Sequence, residues 1–154
     1  MINTFEIAKL IQTTCPKVYA KIMGEGIEGE FFAYPFCKGC IVVVEVCGLT
    51  QNSIHALHIH EGKSCTGDKE DPFKNTLGHF SLTPTIHPNH SGDLPPLFSN
   101  QGYAWLCTYT SRFNAEDIIG RTIVVHQSYD DFHTQPSGNS QAKIACGKIV
   151  ELFQ

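Results

Sequence analysis

The sequence predicts an all-β fold, an antiparallel sandwich or barrel with two long functional loops. Three observations predict it. Short alternating or β-branched runs recur from Pro16 onward, turns rich in Gly, Pro, Asn and Ser separate them, and two long connections break the spacing. At 154 residues and 17.1 kDa the chain is long enough to bury one real core. Hydrophobic residues are 42% and charged residues 17%, the balance of a globular chain and not of a disordered one.

Taken in order, residues 1–15 read as an N-terminal extension and residues 16–154 as the domain. Asn3, with Glu6 three residues later, is placed to cap a short helix whose apolar side is Phe5, Ile7, Leu10 and Ile11. Strands are expected at 18–22, 29–34, 41–46, 55–60, 102–109, 121–126 and 143–150. The run 102–109 sets Tyr103, Trp105, Cys107 and Tyr109 at period two, which suits core or dimer surface. A helical turn is expected at 114–119, with Asn114 as cap, Asp117 at the third position and Gly120 as the stop. The long connections are 61–96 and 127–141, and each follows a strand ending in histidine, so both ligand-bearing ends meet on one side of the barrel.

The first connection carries His79, His87, His90 and Asp93 in the pattern H-x7-H-x2-H-x2-D. Three neutral imidazoles and a carboxylate suit Zn²⁺ in a closed tetrahedral site. Pro84, Pro88, Gly78 and Gly92 exclude a regular helix or strand there, so a metal would order it. Upstream, His58 and His60 lie at i and i+2 and share one strand face. Two imidazoles do not fill a coordination sphere, and His126, ending the run Thr122 to Val125, is a further donor. Imidazole suits copper as well as zinc. His55 is expected on the surface, and His133 exposed in the second loop.

Charge and length exclude other classes. Formal charge is −4 and pI about 6.0, which argues against nucleic acid as the main partner. No apolar run is long enough to span a bilayer. The first residues lack the basic start and apolar core of a secretory signal, so the expected address is the cytoplasm, unless a leader has been trimmed. Seven cysteines, at 15, 37, 40, 47, 65, 107 and 146, cannot all pair within one chain, and a cytoplasmic protein keeps thiols reduced. Cys37-Lys38-Gly39-Cys40 has C-x-x-C spacing at a hairpin tip, without the βαβ context of a redox motif.

With these residues in place, the chain resembles the copper/zinc superoxide dismutases, and most the bacterial type. The matching pieces are H-I-H-E-G-K-S-C at 58–65, G-H-F at 78–80, H-P-N-H-S-G-D-L-P-P-L at 87–97, I-V-V-H at 123–126, D-D-F-H-T-Q-P-S-G-N-S at 130–140 and I-A-C-G-K-I at 144–149. The resemblance implies a flattened eight-stranded Greek-key β-barrel, an immunoglobulin-like sandwich. It implies copper on His58, His60, His79 and His126, and zinc on His79, His87, His90 and Asp93, with His79 bridging. Asp130 matches the carboxylate that links a copper histidine to a zinc histidine, here His58 and His87. Cys65 and Cys146 match the family disulfide. The implied reaction is dismutation of superoxide to oxygen and hydrogen peroxide by Cu(II)/Cu(I) cycling, with His79 carrying a proton. The alternative is a related copper- and zinc-binding protein with little turnover. No nucleic-acid or membrane partner is implied, and a homodimer is compatible. The chain departs from the family pattern at the active-site arginine, which is Lys143 here; Ala56 and Gln141 are smaller departures.

Overall fold

The computed structural model describes residues 4–153. Its strands are β1 (Val18–Gly24), β2 (Ile27–Phe36), β3 (Gly39–Cys47), β4 (Ile54–His55), β5 (Leu57–His60), β6 (Leu97–Phe98), β7 (Ala104–Thr110), β8 (Thr122–His126), β9 (Lys143–Lys148) and β10 (Val150–Glu151). They pair antiparallel in the order β5-β8-β9-β1-β2-β3-β7, with β10 on β1 and β4–β6 as a separate pair. This is the expected all-β Greek-key sandwich.

Period-two alternation sets which face is the core. Val18, Ala20 and Ile22 of β1, Phe31 and Ala33 of β2, and Ile123 and Val125 of β8 are fully buried inside the curl. β3 departs from alternation, because its first six residues are all buried. Cys40, Val42 and Val44 face the main core. Ile41 and Val43 face outward and are covered by Ile7, Leu10 and Ile11 of a helix, α1 (Thr4–Thr13). The expected helix is therefore present, with Phe5 largely exposed. Its expected cap, Asn3, lies outside the described residues. Trp105 points outward and is 56% exposed, so it belongs to surface and not to core.

The expected strand at 55–60 is broken at Ala56, which separates β4 from β5. β6 was not expected; it falls just past the end of the first long connection, paired with β4 through Ile54↔Phe98 and His55↔Leu97. The turn at 114–119 forms as a 3-10 helix, Ala115–Ile118, where Asp117 accepts the Asn114 N–H at 2.8 Å. Cys37 occupies the β2–β3 turn at φ 52° while Cys40 is buried inside, so the two thiols face different environments. Burial pushes the Cys40 thiol up to about 12. No described helix is long and apolar enough to cross a membrane.

One edge positions the site. β5 pairs with β8 on one side only. On its other side the first long loop comes back: Phe80 N–H donates to the Ile59 carbonyl at 2.8 Å, and Ile59 N–H to the Gly92 carbonyl at 2.9 Å. Isolated bridges pair His58 with Asp93 and His60 with His79. A Cβ at Gly92 would strike the Ile59 carbonyl, so only glycine lets the loop approach this closely.

Candidate metal centre

The two ends of the site come from the strands and the loop. β5 carries His58 and His60, and the end of β8 carries His126. The loop stitched to β5 carries His79, His87, His90 and Asp93. The structure brings all seven together in two sets that share His79. One is His58, His60, His79 and His126; the other is His79, His87, His90 and Asp93; within each set one ligand atom per residue lies within 4.8 Å of the others. His58 is 0% exposed and His60, His87 and His126 are 2–3% exposed.

Hydrogen bonds fix which nitrogen of each ring is free. His58 donates from Nε2 to Asp130 Oδ2 at 2.9 Å, and His87 donates from Nε2 to Asp130 Oδ1 at 2.8 Å. An ionised carboxylate only accepts, so both rings keep a bare Nδ1. His60 donates from Nδ1 to the Leu77 carbonyl at 2.9 Å. Leu77 holds φ at 61°, a strained value for a bulky residue, at the point where its carbonyl receives this bond. His126 Nδ1 faces the Ser140 hydroxyl at 3.2 Å and the Gln141 carbonyl at 3.4 Å, which leaves its Nε2 bare.

These bare nitrogens have no protein partner that suits them. His58 Nδ1, His79 Nε2 and His87 Nδ1 are buried without a hydrogen bond. His87 Nδ1 is 3.2 Å from Asp93 Oδ2, two acceptors in contact. His60 Nε2 and His126 Nε2 stand 3.3 Å apart, again lone pair toward lone pair. Buried acceptors aimed at one another are costly unless a cation lies between them. The donor set therefore fits metal ions: four imidazoles on one side, three imidazoles and a carboxylate on the other. Soft-to-borderline nitrogen donors suit copper, and the His3Asp set suits zinc.

Electrostatics hold the donors ready. Burial pushes the His58 imidazole down to about 4 and that of His126 down to about 3, and the neighbouring imidazoles reinforce both shifts. Burial, again reinforced by neighbouring imidazoles, lowers His60 as well. For Asp130, burial works upward, but bonds from His58, the Phe132 N–H and His87 outweigh it and hold the carboxyl well below its usual range. Asp93 follows the same pattern, with the His79 bond at 2.7 Å outweighing burial. At neutral pH the His58, His60 and His126 rings are therefore neutral and Asp93 and Asp130 ionised, which are the metal-binding forms. Asp130 is itself set by Gly138, at φ +69°, whose missing Cβ would collide with the carboxylate.

Cys65 and Cys146 are joined, which ties the loop to β9. Lys143 pairs with His126 across β8–β9. Its ammonium is not free: Nζ donates to Asp71 Oδ2 at 2.8 Å and to the Phe73 carbonyl at 3.2 Å. His133 is exposed, as expected. His55 is not a surface residue; it is fully buried, with Nδ1 at 2.9 Å from the His126 carbonyl. Its ring lies against the end of β8, on a face that alternation assigned to solvent.

Sequence reasoning missed three supporting residues. Arg112 Nη1 donates to the carbonyls of Pro88, His90 and Asp93 at 3.0, 3.1 and 3.2 Å, a three-point staple on the zinc-type loop. Gln135 accepts the His87 N–H at 3.1 Å and donates to its carbonyl at 2.7 Å, joining the two long loops. Asp71 is the third. Gln135 lies in the 130–140 match but had no role there, and nothing in the sequence singled out Arg112 or Asp71, since their partners are distant in the chain.

Comparison with known proteins agrees with this centre. The family model for copper/zinc superoxide dismutase (SODC) matches residues 32–149. The chain is 33% identical over 152 residues to "Superoxide dismutase [Cu-Zn]" of Deinococcus radiodurans, covering 86% of this chain and 83% of that one. It is 35% identical over 129 residues to the protein of the same name from Caulobacter vibrioides, covering 72% and 71%. Among solved structures, the Cu/Zn superoxide dismutase from Brucella abortus superposes with a TM-score of 0.75 at 25% identity, covering 84% and 97%. A point mutant of a SOD-like protein from Bacillus subtilis superposes at 0.73 with 27% identity, covering 86% and 97%. The chain belongs to the copper/zinc superoxide dismutase family.

Proposed function

We propose that this protein converts superoxide to oxygen and hydrogen peroxide, with copper held by His58, His60, His79 and His126 and zinc by His79, His87, His90 and Asp93. When bound, copper supplies a one-electron redox couple and zinc a fixed positive charge. The carrying observation is the pair of donor sets sharing His79, with their bare nitrogens buried and otherwise unsatisfied.

Each residue has a distinct task. His58, His60 and His126 present Nδ1, Nε2 and Nε2, as their hydrogen-bonded tautomers dictate. His79 faces both sets through its two nitrogens. It holds a proton at Nε2 in one half of the cycle and gives it to reduced oxygen in the other. Asp130 aligns one histidine of each set from behind, so the two sites are built on one carboxylate. Lys143 supplies a cation beside His126, and a lysine presents a point charge where an arginine would present a planar fork. Formal charge −4 makes such a local cation matter for an anionic substrate.

The test loads the protein with copper and zinc and follows superoxide decay directly. Rapid decay that needs copper, and that His126→Ala abolishes while zinc stays bound, is the expected result. His79→Ala should alter the copper spectrum and weaken zinc retention together. Full metal loading without decay would leave the chain a metal-binding member of the family with little turnover.

A further inference from the structure

The ammonium at the arginine position is capped by a carboxylate. Asp71 lies in the first long loop, between Cys65 and His79, and its place is fixed by its own turn. Asp68 Oδ1 accepts the Glu70 and Asp71 N–H groups, both at 2.9 Å, and Asp71 Oδ1 accepts the Phe73 N–H at 3.0 Å. The Asp71 carbonyl accepts from Asp68 and Lys74, both at 3.0 Å. This leaves Asp71 Oδ2 aimed at Lys143 Nζ. The side chain of Lys143 is 17% exposed and that of Asp71 is 39% exposed, so the anionic partner is the more open of the two.

Lys143 is already held by a second acceptor. The Phe73 carbonyl takes its ammonium without adding net charge. What the carboxylate adds is neutralisation. A superoxide anion approaching His126 meets an ion pair, and the field of a pair falls off faster than that of a single charge. We propose that Asp71 damps anion guidance to the copper site by neutralising Lys143, and that this residue sets the protein's rate and affinity for small anions. The proposal rests on the superoxide reading above, and its second readout does not.

The experiment uses the full chain loaded with copper and zinc, as wild type, Asp71→Asn, Asp71→Ala, Lys143→Gln and the Asp71→Asn/Lys143→Gln double variant. Superoxide decay is measured across ionic strength, and azide binding is followed by optical titration of the copper spectrum. Asp71→Asn keeps the shape of the side chain and removes its charge. It should raise the low-salt rate by about twofold to fivefold and tighten azide by a similar factor, a fraction of the full range of electrostatic steering. The gain should shrink as salt shortens the screening length to about 8 Å. Asp71→Ala should give the same direction. In the Lys143→Gln background Asp71→Asn should give a gain of similar size, since the fields of separate charges add, and the double variant should return close to wild type. An unchanged or slower rate with unchanged azide affinity in Asp71→Asn overturns the proposal. A double variant that stays as slow as Lys143→Gln overturns it too, because the carboxylate would then contribute nothing to the field at the copper site. If wild type fails to consume superoxide, the superoxide reading fails, while the azide titrations still decide whether Asp71 masks Lys143.

Discussion

Asp130→Asn puts the shared carboxylate to a strict test. Asp130 accepts from His58 at 2.9 Å and from His87 at 2.8 Å, and it also takes the Phe132 N–H at 2.7 Å. An amide of the same shape has one accepting oxygen and one donating nitrogen. The two histidines both donate, so one of them must meet an N–H group. That ring has two choices. It keeps its proton and leaves a buried donor unpaired, or it moves the proton to Nδ1, the atom on its metal side. The first choice costs about 1–3 kcal/mol for a buried unsatisfied donor. The second removes a metal donor until the proton leaves. Loss of such a supporting partner typically weakens metal binding by about 10–100-fold, or roughly 1.4–2.7 kcal/mol, so the two estimates agree. Competition with a chromophoric chelator measures copper and zinc affinities separately on the folded variant. At least one should fall in that range, with the thiol and strand content unchanged. If both metals bound as in wild type, Asp130 would not be orienting either histidine.

Three more outcomes are expected. Cys65 and Cys146 are separated by 81 residues, so Cys146→Ser should lower stability by roughly 4–5 kcal/mol on the chain-entropy model, read by denaturant titration of oxidised protein. Among the other cysteines, Cys15, Cys37 and Cys47 are exposed, while Cys40 is buried and titrates only near about 12. A thiol reagent at pH 8 should therefore label the exposed three in the native protein and reach Cys40 only on unfolding, as peptide mapping would show. Arg112→Gln should remove the staple on three loop carbonyls and lower zinc affinity by about tenfold, with copper affinity changed less, since hydrogen bonds to charged groups contribute about 1.5–3 kcal/mol. Equal losses at both metals would refute that division.

The two donor clusters were legible because coordination needs particular residue types at particular spacings. H-x-H on a strand is a weak signal alone, but joined to H-x7-H-x2-H-x2-D on a loop and to His126 it has few other uses in a globular chain. The strands were legible because one face of each is buried and the other is wet, as in Ile27 to Ala33 of β2. Where that contrast vanishes, sequence reading fails. β3 is buried on both faces because α1 covers Ile41 and Val43. His55 read as a surface residue because alternation alone could not show that its ring would meet the His126 carbonyl inside the fold. β6 is two residues long, too short for any period to register. Asp71 ends the charged run 68–71 and Arg112 stands alone, and only the folded chain shows that one meets Lys143 and the other the loop backbone.

The stitching of the loop to β5 has a consequence for colloidal behaviour. β5 ends the main sheet, and its outer N–H and C=O groups are occupied by segments around His79–Phe80 and Gly92–Leu94. A strand whose outer ladder is open templates pairing with another chain, and self-assembly through bare edges is a common route to insoluble protein. Here the guard over that edge is a stretch with little regular structure, and it includes the residues proposed to hold zinc. Stripping the metal would loosen the guard and bare the strand together. Retention of zinc would then govern how long the protein stays dispersed in solution, independently of how fast it turns over superoxide.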